Sequence, residues 1–172
     1  MSHYNLLADT AETEAAKFYH GYVMKTDSNL DAIVCCFPGW TKEEADGVWC
    51  AAFVYYCCKQ AGFNIPIKPS GCSYNLAGCG AWEDWAKADE RIAYHSGKDK
   101  TFNPERGDIV LFDRIFDDKE HDHIGIVVGV EPDSITVAEG NINNVSGIIK
   151  RKKDEYIRSY IRIPNGFAYC VE

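Results

Sequence analysis

Residues 47–62, GVWCAAFVYYCCKQAG, carry three of the chain's eight cysteines. A cysteine does nucleophilic chemistry as its thiolate, and a helix N-terminus favours the thiolate because unpaired N–H groups point at the sulfur. Cys50, Phe53, Val54, Cys57, Cys58 and Ala61 recur at helical spacing, and Gly62 suits a helix end. Cys50 therefore belongs in the first turn, where its own N–H could also donate to an oxyanion. Cys57 and Cys58 lie deeper on the same stripe and are expected to be inert. A thiol of this kind needs a base. His123 heads the apolar run HIGIVVGV, and strand alternation places His123, Gly125 and Val127 on one face. His121, in the acidic loop DRIFDDKEH, is expected to be solvated. The turn signal EPDS at 131–134 makes the following strand the hairpin partner of the His123 strand. A register symmetric about that turn sets residues 124–126 against 139–141. Glu139 or Asn141 of the segment VAEGN would then sit beside His123 and hold its ring for proton transfer.

The elements that must carry these residues are legible in outline. Residues 10–24 are expected to form a first helix, capped by Thr10 with Glu12 and Glu14 in its first turn. Thr41 and Glu44 have the spacing of a capping box. Residues 81–91 read as a short helix. Beyond Pro104 the texture changes to β-branched runs separated by turn residues: GDIVLF, HIGIVVGVE, SITVAEGN, VSGIIKRK and YIRSYIRIP. Helices followed by a meander of strands predict an α+β domain with an antiparallel sheet.

A chain of 172 residues suits one domain. Its net charge of -8 argues against nucleic-acid binding through a basic face. No apolar run has the length of a membrane helix. Residues 1–20 lack the pattern of a secretory signal. The adjacent pairs Cys35-Cys36 and Cys57-Cys58 argue against a disulfide scaffold, and Cys72 with Cys79 is the candidate pair if one exists. Oligomeric state is not legible.

Five segments, in order, resemble the CHAP family, the cysteine- and histidine-dependent amidohydrolases/peptidases of the papain-like superfamily and relatives of the NlpC/P60 enzymes. WCAAFVYYCCKQAG is similar to the nucleophile helix, NPERGDIVLFD to the Pro-Gly-Asp strand start, and DHIGIVVGV to the histidine strand. ITVAEGN is similar to the Glu-Gly-Asn segment and YIRSYIRIP to the closing strand. The resemblance implies a papain-like (NlpC/P60-type) fold in residues 1–172 as a single catalytic domain. Within it, 1–40 would be an N-terminal helical extension and 41–164 a catalytic core whose nucleophile helix packs on the antiparallel sheet. It implies Cys50 as nucleophile, His123 as general base and acid, Glu139 as the residue orienting His123, and Asn141 as a polar helper. The implied substrate is peptidoglycan, cleaved at a stem-peptide or cross-bridge amide. The wall would be reached as a phage lysin, an effector or a trimmed fragment of a secreted protein. Alternatives are an NlpC/P60-type endopeptidase, an amidase on a non-wall amide, and a catalytically silent binding domain. One departure is that residues 43–48, EEADGV, lack the Gln that papain-like enzymes often place before the nucleophile. Segment 63–103 is a candidate wall of the substrate groove.

No cofactor is expected. Asp27, Asn29 and Asp31 alternate like the opening of a calcium loop, and the resemblance to CHAP domains described as binding calcium keeps that ion open against a plain capping turn. His121 and His123 lack further ligands at zinc spacing.

Overall fold

A computed structural model describes residues 5–23 and 26–170. Five helices precede or flank one sheet: α1 Leu6–Ala15, α2 Asp31–Val34, α3 Lys42–Ala45, α4 Cys50–Gln60 and α5 Cys79–Ala88. The strands are β1 Ala93–Ser96, β2 Ile109–Phe112, β3 His123–Val130, β4 Ser134–Ile142, β5 Val145–Lys152 and β6 Ile157–Arg162. They pair antiparallel in the order β1-β6-β2-β3-β4-β5. The chain is thus α+β, as expected. Among the described residues no helix is long and apolar enough to cross a membrane.

α1 departs from the sequence expectation. Asn5, not Thr10, caps it by accepting from the Ala8 N–H at 3.0 Å, and the helix ends at Ala15. Glu12 and Glu14 therefore fall in later turns. Glu12 meets Arg106, and buried Glu14 accepts from Tyr19 and Lys17. Phe18, at φ 54, marks the break, and Met24 lies outside the described residues. The capping box forms as read, with Thr41 Oγ1 accepting from the Glu44 N–H at 3.2 Å and Glu44 Oε2 accepting from the Thr41 N–H at 3.0 Å. α5 starts two residues earlier than expected. β1, a short run with little apolar alternation, was not foreseen; its partner β6 holds it.

α4 begins at Cys50 and is followed by Gly62 at φ +83, as its spacing predicted. It is not amphipathic, however. Every residue from Cys50 to Cys58 is buried, because the sheet covers one side and α1 and α2 the other. The sheet is apolar on both faces. Leu111, Ile124, Ile126 and Ala138 pack toward the helices, while Val110, Phe112, Val127 and Val137 build a second core behind.

The β3–β4 hairpin carries the decisive detail. Val130 pairs with Ile135 and Gly129 with Thr136, but Val127 then pairs with Val137 and Ile126 with Ala138. Val128 is the extra residue of a β-bulge, and Arg106 donates to its carbonyl at 2.5 Å while also binding Asp9 and Glu12 of α1. The symmetric register would set Glu139 opposite Ile126, on the helix-facing side. The bulge moves it by one residue, opposite Gly125 and onto the face of His123. Gly125 leaves the room: a Cβ there would stand 2.8 Å from the Glu139 Cγ.

At Gly140 the sheet comes close to α4 and the residue before it, where an added Cβ would lie 2.5 Å from Phe53 Cβ and 2.7 Å from Trp49 Cζ3. Gly140→Ala should therefore cost about 1–3 kcal/mol by overpacking. Gly147→Ala, whose Cβ would meet only Ile142 at 3.8 Å, should be near neutral. Urea denaturation of both variants checks this, and equal stabilities would refute the close contact.

Candidate active site

Cys50 opens α4 at a helix start with no side-chain cap, so the first-turn N–H groups are free to face its sulfur. It is not surface-facing: it is 8 % exposed and reached through a cavity of about 910 Å³. The loop before it is clamped by the far end of the β4–β5 hairpin. Asn144 Oδ1 accepts from the Gly47 N–H at 3.1 Å and from Trp49 Nε1 at 2.9 Å, and its Nδ2 donates to Asp46 at 2.7 Å. Asn141 Nδ2 donates to the Gly47 carbonyl at 2.9 Å. Both asparagines sit at positive φ, 61 and 67, a conformation asparagine tolerates better than most residues. Asn141 thus lines the cavity but holds the Cys50 loop rather than the imidazole.

His123 and Glu139 come together as expected. His123 Nε2 lies 2.7 Å from Glu139 Oε2, with both side chains essentially removed from solvent. A carboxylate partner at Nε2 assigns the proton to that nitrogen and leaves Nδ1 for the thiol. Burial alone would raise the Glu139 carboxyl, but Arg151 and His123 hold it below the ordinary carboxylate range. Burial disfavours the His123 imidazolium, yet Cys50 and Glu139 outweigh it and push the group up to about 9. Cys79, together with His123 and the Ala51 N–H, holds the Cys50 thiol well below its usual range against burial. The deeper thiols behave oppositely, since burial pushes Cys57 and Cys58 up. Cys50 and His123 can therefore share charge as thiolate and imidazolium.

Three residues of this site were not singled out from the sequence, and a fourth, Cys79, was considered only as a disulfide partner of Cys72. Arg151 on β5 binds Glu139 with two bonds, Nε to Oε1 at 2.5 Å and Nη2 to Oε2 at 2.7 Å, and stacks near Phe112 and Phe116. Its signal was an arginine on the same strand face as Ile149, an apolar side. Asp122 Oδ2 accepts from the N–H groups of Ile115, Phe116 and Asp117 at 2.6–3.1 Å. That folds the acidic loop over the site and sets the Phe116 ring edge-on to His123 at 4.9 Å. Asn144 was hidden in the polar run between two strands. Cys79 opens α5 with its sulfur 3.5 Å from that of Cys50. Its signal was a cysteine after glycine at a helix start.

Two expectations are corrected. His121 is partly buried rather than free in solvent. It lines the same cavity, its Nε2 is buried, and it stands 3.3 Å from Glu83 Oε1, because Asp113 accepts from its N–H and turns the loop inward. Cys72 and Cys79 are free thiols: Cys72 points at the Ala81 carbonyl and Cys79 at Cys50. Of the candidate calcium donors, Asp27 and Asp31 share one ammonium group. Lys42 Nζ lies 3.7 Å from Asp27 and 3.4 Å from Asp31, and Asn29 is engaged by the backbone of His20 and Phe18. Among the described residues no three His, Cys, Asp or Glu side chains form a metal-binding group.

The CHAP domain model matches residues 42–141, more than half of the chain and all of the cavity's Cys, His and Glu set. The chain belongs to the CHAP domain family. CHAP domains are in general cysteine- and histidine-dependent amidohydrolases or peptidases. Among solved structures, one described as the crystal structure of Ly7917 is 17% identical, with a TM-score of 0.44. The match covers 67% of this chain and 53% of that one, so this CHAP chain spans about half its length. No curated protein matches the chain.

Alkylation by iodoacetamide tests the electrostatics without a substrate. Cys50 labelling, followed by peptide mass, should reach half its plateau well below the free-thiol value of about 8.5. In His123→Ala the half-point should rise, and a wild-type half-point at the free value would refute the pairing. Arg151→Met should leave buried Glu139 with His123 as its remaining partner and its Oε1 unsatisfied, and cost about 3–5 kcal/mol in thermal or urea unfolding. A loss below that of an ordinary surface change would show that Arg151 does not neutralise Glu139.

Proposed function

We propose that this CHAP domain is a cysteine amidase or endopeptidase acting on peptidoglycan, at the N-acetylmuramoyl-L-alanine bond or a stem-peptide or cross-bridge peptide bond. The observation that carries the proposal is the low-lying thiol of Cys50 beside a His123 already bound to an ionised Glu139, with Cys50 and His123 lining one open cavity. A papain-like core at 41–164 behind a helical extension at 1–40, in one domain, accords with the sheet order and with α4 packed on β3 and β4.

The Cys50 thiolate attacks the amide carbonyl, and negative charge moves to the oxygen. The Cys50 backbone N–H at the start of α4 is the donor available to that oxyanion. His123, as imidazolium, gives its proton to the leaving amine, and the thioester remains on Cys50. A water then attacks the thioester with His123 as base, releasing the acid and restoring the thiolate–imidazolium pair. Glu139 keeps the ring oriented and favours its protonated form, while Asn141 and Asn144 hold the loop that aims Cys50. Phe37, Trp40, Asn75, Phe116 and His121 are among the residues lining this cavity, whose volume of about 910 Å³ has room for a short peptide.

Digestion of purified sacculi, with mass analysis of the fragments, is the direct test. Wild-type protein should release fragments with a new amine end, and Cys50→Ala should release none while keeping its circular dichroism spectrum. Cys57→Ala should remain active but lose about 1–3 kcal/mol of stability. His123→Ala should be less active than Glu139→Gln, and Glu139→Gln less active than His121→Ala, because a base is harder to replace than an orienter. Activity should appear as the Cys50 thiol loses its proton and decline as pH rises through about 9, where His123 loses the proton it must deliver. Intact sacculi after prolonged incubation at neutral pH would overturn the wall substrate. An active Cys50→Ala would overturn the nucleophile.

A further inference from the structure

Two helices aim their N-termini at one pair of sulfurs. Cys50 is the first residue of α4 and Cys79 the first of α5, and neither helix has a side-chain cap to occupy its free N–H groups. The two Sγ atoms are 3.5 Å apart, the sulfur–sulfur contact within hydrogen-bonding distance among the described residues. Both cysteines line the same cavity, so a small solute that reaches Cys50 also reaches Cys79. The hydrolytic cycle proposed above makes and breaks its bonds at Cys50, and Cys79 enters it only through its contact with that sulfur.

We propose that Cys79 is a resolving thiol for Cys50, so that a hydroperoxide entering the cavity converts the pair into a reversible disulfide. The consequence for activity rests on the reading of Cys50 as nucleophile; the covalent chemistry does not. The Cys50 thiolate attacks one peroxide oxygen. An S–O bond forms, the O–O bond breaks, and the departing hydroxide or alkoxide takes a proton from His123. Cys50 is now a sulfenic acid. The Cys79 sulfur attacks the sulfenic sulfur, the S–S bond forms and the S–O bond breaks, and the leaving hydroxide takes the Cys79 proton and departs as water. Two thiols lose two electrons in total, and one hydroperoxide gains them.

The asymmetry of the pair fits these roles. Cys50 has Cys79 itself, His123 and the Ala51 N–H to support its thiolate, whereas Cys50 and burial push the Cys79 thiol well up. Cys50 therefore meets the oxidant first and Cys79 waits as a thiol. Closing the bond requires the sulfurs to approach by about 1.5 Å, to the roughly 2.05 Å of a disulfide. The other thiols are poorly placed to compete. Cys57, Cys58 and Cys72 are buried, and Cys35, Cys36 and Cys170 lie outside the cavity. The disulfide would occupy the nucleophile and spare it from irreversible oxidation to sulfinic acid.

The test is exposure of the reduced full chain to a few equivalents of hydrogen peroxide, followed by non-reducing peptide mass mapping. The Cys50 peptide should appear joined to the Cys79 peptide, two hydrogens lighter than their sum. Iodoacetamide labelling of Cys50 should be lost and then regained with dithiothreitol. In Cys79→Ser, Cys50 should instead gain two or three oxygens, and dithiothreitol should no longer restore its labelling. Because these readouts need no substrate, they stand even if sacculi are not digested. Oxygen adducts on wild-type Cys50 at the rate seen in Cys79→Ser, or a cross-link from Cys50 to any other cysteine, would overturn the proposal. If Cys79→Ser fails to fold, the wild-type cross-link map decides alone.

Discussion

A carboxylate with no exposure to water organises this molecule. Glu139 is ionised inside the sheet, where an unpaired charge would be prohibitively costly, so its surroundings must neutralise it. Arg151 does so through two bonds, and His123 takes the remaining direction. Each partner imposes its own requirement. Gly125 must lack a side chain to admit the carboxylate. Arg151 needs flat neighbours, which Phe112 and Phe116 provide. Phe116 in turn stands over His123 because Asp122 gathers three backbone N–H groups of its loop. A reactive histidine is the product of that chain of needs.

The same device recurs along the last two strands. Arg151 of β5 neutralises Glu139, Arg158 of β6 binds Glu83 of α5, and Arg162 of β6 binds Asp108 before β2. All three acids are buried. Burial alone would raise the Glu83 carboxyl, yet Arg158 and Lys87 bring it to about 2. Acids placed earlier in the chain thus wait for guanidinium groups from its final third. The C-terminal strands therefore do more than close the sheet: they supply the charge without which the middle of the chain could not bury its carboxylates. One of these acids, Glu83, also stands against His121, which lines the same cavity as Cys50, so the wall of the cleft and its reactive residues are built by the same rule.

Cys50 reaches His123 from the other side of the sheet. α4 packs on the face carrying Ile124 and Ile126, whereas His123 and Glu139 belong to the face of Val127 and Val137. The two meet only at the rim, where His123 begins β3 and Cys50 begins α4. Gly140 lets the strand press against Trp49 and Phe53, and Asn141 and Asn144 grip the loop leading into the helix. For a CHAP domain this separation has a chemical use. The imidazole is held rigidly within a packed sheet, and the thiol sits on a separate helix whose N-terminus supplies the field.

Local spacing determined much of this in advance. The period of Cys50, Phe53, Val54 and Cys57 placed the thiol at a helix start, because that pattern depends only on 3.6 residues per turn. Alternating runs bounded by turn residues marked five of the six strands, and the order of segments pointed to the CHAP family. What only the tertiary structure decided depends on contacts distant in sequence. α1 was misplaced because its cap, Asn5, lies outside the charged stretch that drew attention to Thr10. The register of β3 and β4 turned on one bulged residue, Val128, held by Arg106, and without that shift Glu139 would face away from His123. Nothing in the alternation of VVGV announces a bulge, since Val fits either face. Arg151 went unrecognised, and Cys79 was matched with Cys72 instead of Cys50, for the same reason. Their partners, Glu139 and Cys50, are fixed by strand pairing and by the docking of α5, and no local pattern encodes which buried group a long or reactive side chain will meet.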